Sequence, residues 1–137
     1  MKTIVVGYDE TEASKRALQR AGEIAEAFGA KLIVTSVAPV EFYATRSRGP
    51  VARDETPQAH REQLKEARTF LQEQGIEADY VPAVGEPADT IVELAGGRGA
   101  DMIVVGTREP GIVQRLLGQS VSQAVAREAH CDVLIVH

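Results

Sequence analysis

The chain has 137 residues, 44% hydrophobic and 26% charged, which suits one globular domain over residues 1–137 and leaves little room for a second core. Its 15 Lys and Arg against 20 Asp and Glu give a formal charge of -5, without the basic excess that nucleic acid or an anionic membrane attracts. No apolar run reaches the ~18 residues of a membrane span. The single cysteine excludes an internal disulfide, and MKTIVVGYDE lacks a leader pattern, so a cytoplasmic location is expected.

In chain order, Ile4-Val5-Val6 comes first, β-branched and continuous, the pattern of a strand buried on both faces of a parallel sheet. From Thr11 to Phe28, the apolar residues Ala13, Ala17, Ala21, Ile24 and Phe28 recur every three or four positions and predict a helix with one apolar face. Leu32-Ile33-Val34 is the second strand. Pro39 to Glu55 is an irregular stretch holding Arg46, Arg48 and Arg53; such a stretch inside a compact domain is a lid, a binding loop or a disordered segment. Thr56-Pro57 reads as an N-cap followed by proline at the first helical position, and this helix stops at Gly75. Ile76 to Val84 alternates and contains Pro82, which suits a strand near the sheet edge. A third helix opens at Pro87, carries Ile91, Val92 and Leu94 inward and ends at Gly96-Gly97. Met102 to Val105 is the fourth strand, Ser120 to Ala129 the fourth helix with Val121, Ala124 and Val125, and Val133 to Val136 the fifth strand.

Strands alternating with helices predict an α/β fold: a doubly wound, five-stranded parallel sheet in the order 3-2-1-4-5 with helices on both faces. Ligands of such sheets bind beyond the carboxyl ends of the strands, where the order reverses, here between the first and fourth strands. Two segments flank that point, Gly7-Tyr8-Asp9-Glu10 and Gly106 to Ser122, with the turn near Val37 beside them. A glycine-bearing loop running into a helix supplies backbone N–H groups and a positive dipole end, which suits phosphate, and Ser120 and Ser122 add hydroxyls. The segment matches neither the Walker A pattern nor the dinucleotide fingerprint. Purely structural readings stand beside these. Asp9-x-x-Glu12 and Ser120-x-x-Gln123 both fit a capping box, Gly106 and Gly118 both suit tight turns, and the loop arginines suit a solvated face.

Other chemistry finds little support. His60, His130 and His137 lack metal-ligand spacing, so no metal site is expected, and Cys131 reads as a small apolar residue. No nucleophile elbow and no paired carboxylates stand out, so no catalytic residue is assigned. Aromatics at 4% without Trp supply no stacking platform for single-stranded nucleic acid. The last strand, Asp132 to Val136, is apolar and falls at a sheet edge, which predicts a homodimer through that strand.

Gly7-Tyr8-Asp9 closing the first strand, Val104-Val105-Gly106-Thr107-Arg108 at the end of the fourth, and Leu116-Leu117-Gly118-x-Ser120-Val121-Ser122 leading to Cys131-Asp132-Val133-Leu134-Ile135-Val136 together resemble the universal stress protein family. The resemblance spans essentially the whole chain. It implies a dimeric stress-response regulator that binds an adenine nucleotide, ATP or AMP, with or without Mg2+. One subclass of the family holds ATP through Gly-x2-Gly-x9-Gly-(Ser/Thr); another lacks that motif and works without nucleotide through protein partners. Here the motif starts at Gly106, has Glu109 and Gln119 at its second and third glycine positions, and ends on Ser120; Gly111 and Gly118 stand nearby, out of register. The resemblance further implies Asp9 near the ribose, a Val37 backbone contact to the base, and Val121 and Ser122 after the motif, with Tyr8, Val105 and Arg108 adjoining. Both subclasses remain open at this point. A third possibility is a hydrolytic or adenylyl-transferring enzyme of the wider nucleotide-binding α/β group; otherwise any ATP hydrolysis should be slow.

Overall fold

The computed structural model describes residues 1–38, 57–107 and 120–137. In chain order the elements are β1 (Thr3–Gly7), α1 (Glu12–Phe28), β2 (Lys31–Ala38), α2 (Pro57–Glu73), β3 (Asp79–Val84), α3 (Pro87–Gly97), β4 (Met102–Gly106), α4 (Val121–Glu128) and β5 (Asp132–Val136). All strand pairs are parallel, and the sheet order β3-β2-β1-β4-β5 is the one expected. No helix among the described residues is long and apolar enough to cross a membrane.

Successive side chains on a strand point to opposite faces, so each central strand feeds two cores. Ile4, Val6, Leu32, Val34 and Val104 pack beneath Ala17, Leu18 and Ala21 of α1 and Leu64, Ala67 and Leu71 of α2. Val5, Ile33, Ile103 and Val105 face the other way, against Ala88, Ile91 and Ala95 of α3 and Val125 of α4. That is why the apolar runs are continuous rather than alternating. Each of Ile4, Leu32, Ile33 and Ile103 is at most 1% exposed, and truncating a side chain so placed to Ala costs about 2–5 kcal/mol.

Four local expectations are corrected. Strand β2 runs to Ala38, past the apolar triplet, because Thr35 and Ser36 are buried polar residues whose hydroxyls bond within the protein. Phe28 is 62% exposed instead of lying on the buried face of α1: the last turn reaches the amino-terminal margin of the sheet, where the chain turns back at Gly29. Helix α3 continues through Gly96 and Gly97 to an Arg98 cap, and the left-handed turn falls at Gly99, with φ +63°. Finally, Thr11 and not Asp9 is the N-cap of α1, as described below. The long stretch with Arg46, Arg48 and Arg53 lies outside the described residues, as does the Thr56 cap.

Candidate functional site

At the carboxyl edge of the sheet, between β1 and β4, the structure forms a cleft. Its floor is Gly7, Thr35, Val37, Val105 and Gly106 at the ends of three strands. One wall is Tyr8, Asp9, Ser14 and His60, from the β1–α1 turn, α1 and α2. The opposite wall is Pro87 and Ile91 of α3 with Val121 and Ser122 of α4.

The β1–α1 turn is held by a closed set of bonds. Asp9 Oδ1 accepts from the Thr11 backbone N–H at 3.1 Å and from the Thr11 hydroxyl at 2.7 Å. Thr11 Oγ1 in turn accepts from the Ser14 N–H at 3.1 Å, the capping bond of α1. Ser14 Oγ accepts from the Asp9 N–H at 3.2 Å and donates to the Thr11 carbonyl at 3.1 Å. Asp9 thus orders the turn two residues ahead of the N-cap, as an Asx turn does, instead of capping the helix. Between them Glu10 sits at φ +68°, a left-handed conformation that costs a non-glycine residue roughly 1–2 kcal/mol. The bonds on either side hold it there, strain of the kind that collects at binding turns.

Tyr8, 4% exposed, donates its hydroxyl to Glu66 Oε1 of α2 at 2.7 Å, and Glu66 also lies 3.8 Å from Lys15 of α1. Burial, then the Glu66 hydrogen bond and charge, holds the phenol protonated far above its usual range. On the far wall, Ser120 caps α4 by accepting from the Gln123 N–H at 3.2 Å, as its sequence pattern predicts. Its Oγ also lies 3.1 Å from that of Ser122. The amino end of α4 is therefore aimed at the cleft with two hydroxyls beside it, an arrangement suited to an anion.

Gly106 is required for a reason other than a tight turn. A Cβ there would lie 2.5 Å from the Ala13 carbonyl carbon and 2.7 Å from the Ser14 nitrogen. The first turn of α1 rests directly on the end of β4, and only a residue without a side chain lets it do so.

Of the residues assigned from sequence, Gly7, Tyr8, Asp9, Val37, Val105, Gly106, Val121 and Ser122 line one cleft, and Ser120 stands at its rim. Arg108, Glu109, Gly111, Gly118 and Gln119 lie outside the described residues. Sequence reasoning missed Ser14, Thr35, His60, Pro87 and Ile91. A general signal existed for His60, Pro87 and Ile91: the first turns of helices that follow strands of a parallel sheet open onto its carboxyl edge. Among the described residues no three of His, Cys, Asp and Glu gather to hold a metal. Cys131 lies elsewhere, beside Ala95, Gly99 and Ile103, and burial pushes its thiol upward, away from reactive thiolate.

Comparison with known proteins agrees with this picture. Residues 1–137 match the Universal stress protein family. A universal stress protein of Mycobacterium tuberculosis is 38% identical over 143 residues, covering 99% of this chain and 96% of that one. A crystal structure of a universal stress protein in complex with cAMP superposes with a TM-score of 0.77 at 38% identity, covering 99% of this chain and 97% of the other. The universal stress protein from Archaeoglobus fulgidus in complex with dAMP gives 0.75 at 26% identity, covering 100% and 98%. By sequence over its whole length and by fold, the chain belongs to the universal stress protein family.

Proposed function

We propose that this universal stress protein is a homodimeric regulator that binds an adenine nucleotide in the β1/β4 cleft. One observation carries the reading: eight residues assigned from sequence, scattered from Gly7 to Ser122, line a single cleft at the switch point of the sheet. Two similar proteins with the same fold are complexes with cAMP and dAMP, which supports the choice of ligand.

In this reading the base lies over Val37, between apolar Pro87 and Ile91 on one side and His60 on the other. Asp9, in the turn that follows β1, adjoins the ribose. The phosphates meet the amino end of α4, Ser120, Ser122, and the segment from Gly106 through Arg108, Glu109, Gly111, Gly118 and Gln119. Mg2+ would be held largely by the nucleotide's own phosphates, since among the described residues of the cleft wall the carboxylate is that of Asp9. No residue is assigned to activate water, so hydrolysis is slow and binding is the function. The protein works in the cytoplasm.

The dimer forms through β5, whose Val133, Leu134, Ile135 and Val136 are half-buried at the edge of the sheet. An unpaired apolar edge strand invites the same strand of a second copy across a twofold axis.

A second reading, in which the protein binds no nucleotide and acts through a protein partner, draws on a specific observation. Asp9 Oδ1 and Ser120 Oγ, both assigned to the ligand, already order the first turns of α1 and α4. Titration with AMP and ATP, with and without Mg2+, separates the two readings. Saturation below about 100 μM is expected for a nucleotide site; its absence transfers the case to the protein partner. Mass spectrometry of protein purified without added nucleotide should reveal a bound adenine nucleotide.

A further inference from the structure

Glu66, midway along α2, reaches the cleft through one of its lining side chains, Tyr8. Tyr8 stands between Gly7 and Asp9, and all three line the cleft. It is pinned at both ends. Its backbone N–H donates to the Thr35 carbonyl at 2.9 Å, which extends the sheet, and its hydroxyl donates to Glu66 Oε1 at 2.7 Å. The second bond ties the turn to a helix 58 residues further along the chain. Two residues beyond Tyr8, Glu10 holds its left-handed φ of +68°, a conformation that persists only where the surrounding structure over-determines it.

Two interactions meet at Glu66 Oε1, the phenol bond and the Lys15 ammonium at 3.8 Å. They differ in weight. The Lys15 and Glu66 side chains are 43% and 47% exposed, and water screens an ion pair so placed until it contributes little. The phenol is 4% exposed, and a buried donor on a carboxylate makes the stronger bond. On the nucleotide-binding reading above, we propose that Glu66 is a positioning residue of the site, acting through the Tyr8 hydroxyl to hold the Gly7–Asp9 turn in its binding conformation. A phenol without this acceptor has to move to find another, and the main chain on either side moves with it. Part of the nucleotide's binding energy then goes into re-forming the turn.

The test measures AMP dissociation constants for the wild type, Glu66→Gln, Glu66→Leu and the double variant Glu66→Leu/Tyr8→Phe, with urea unfolding of each. Gln keeps an oxygen at the same reach without the charge, so its affinity should stay within about twofold of wild type. Leu sets carbon against the buried hydroxyl and should weaken AMP about fivefold or more. Adding Tyr8→Phe removes the stranded hydroxyl and should recover most of that loss, because replacing both partners by apolar groups costs far less than orphaning one. If Glu66→Leu does not fold, Glu66→Ala takes its place, with a loss of about threefold expected because water then reaches the phenol. A Glu66 that serves stability alone would lower the unfolding midpoint and leave AMP affinity as it was, which overturns the proposal. Equal losses in Gln and Leu overturn it as well, since they trace the effect to the charge and not to the hydroxyl. Amide exchange without nucleotide gives a separate reading at the Asp9 and Thr11 N–H groups, which bond to Ser14 Oγ and Asp9 Oδ1. Both should exchange faster in Glu66→Leu and at the wild-type rate in Glu66→Gln; unchanged exchange in Glu66→Leu counts against a positioning role. A wild type that binds AMP while Glu66→Leu binds it equally well sinks this inference alone, whereas a wild type that binds no AMP sinks the nucleotide reading with it.

Discussion

The two walls of the cleft are built on different principles. On the α1–α2 side, the polar groups are tied into the protein: Tyr8 to Glu66, Asp9 to Thr11, Ser14 to Asp9 and Thr11, and His60 to Ser36. On the α3–α4 side, Pro87, Ile91 and Val121 present carbon, and among the described residues the hydroxyls stand at the first turn of α4. The first wall is preorganised, with orientations set by bonds a ligand need not supply; the second excludes water and contributes contact area. A ligand with a flat polar ring and an anionic tail suits that combination, because its ring needs one wall of each kind and its tail needs a helix end.

The sharpest way to break this contrast is Gly106→Val, on the floor where the walls meet. The new side chain would drive the first turn of α1 off β4, since even a Cβ lies 2.5 Å from Ala13 backbone. A loss of about 3 kcal/mol is expected in urea unfolding, in the upper range for overpacking. Wild-type stability accompanied by lost nucleotide binding would instead make Gly106 a ligand residue and not a packing one.

Next in size is Ile91→Ala on the apolar wall. Ile91 is 4% exposed and packs in the α3-side core. The expected cost is about 2–3 kcal/mol, at the lower end for such truncations because the void opens onto the cleft and water can enter it. Nucleotide affinity should fall with it if the base lies against this wall. Unaltered affinity with reduced stability would move the base elsewhere.

The preorganised wall is probed by Tyr8→Phe, which removes the bond to Glu66 and keeps the ring. A loss of about 1–1.5 kcal/mol near neutral pH is expected, as for a buried hydroxyl bonded to a charged partner that remains half-exposed. The pH profile carries the signature. Tyr8 has its folded pKa raised above the usual 10.0, so its contribution is complete below pH 10 and fades as pH climbs toward the folded value. Wild-type stability should therefore drop in the alkaline arm, and Tyr8→Phe should flatten that drop. Parallel alkaline arms for the two proteins would show that the phenol proton is not linked to folding.

The architecture was legible because parallel strands buried on both faces leave a plain trace: Ile4 to Val6, Leu32 to Val34 and Met102 to Val105 are runs that a helix or an exposed strand has no use for. The switch point followed from strand order, and Gly7, Asp9, Val37 and Ser122 followed from the switch point. What stayed hidden depends on distance in the chain. Ser36 and His60 are 24 residues apart, and neither has a local pattern that announces its partner. Thr35 and Ser36 also interrupt the apolar run, which made β2 look shorter than it is. Asp9 and Thr11 are both good N-cap residues two positions apart, and only the backbone at Thr11, extended at φ -67° and ψ 156°, settles which one caps.

The smallest expected effect separates capping from ligand binding at α4. Ser120→Ala removes the oxygen that accepts from the Gln123 N–H and should cost about 1 kcal/mol, whereas Ser120→Gly should cost only a few tenths, because glycine at an N-cap lets water reach the orphan N–H groups. Stability alone therefore distinguishes the two variants. Affinity should not: both lack the hydroxyl, so if Ser120 also reaches a phosphate, both lose nucleotide by the same factor despite their different stabilities. Affinity that instead follows stability, with glycine near wild type and alanine weakened, would mean that Ser120 acts only by holding α4 in place. Ser122, 4% exposed and 3.1 Å from Ser120, would then be the hydroxyl that meets the anion.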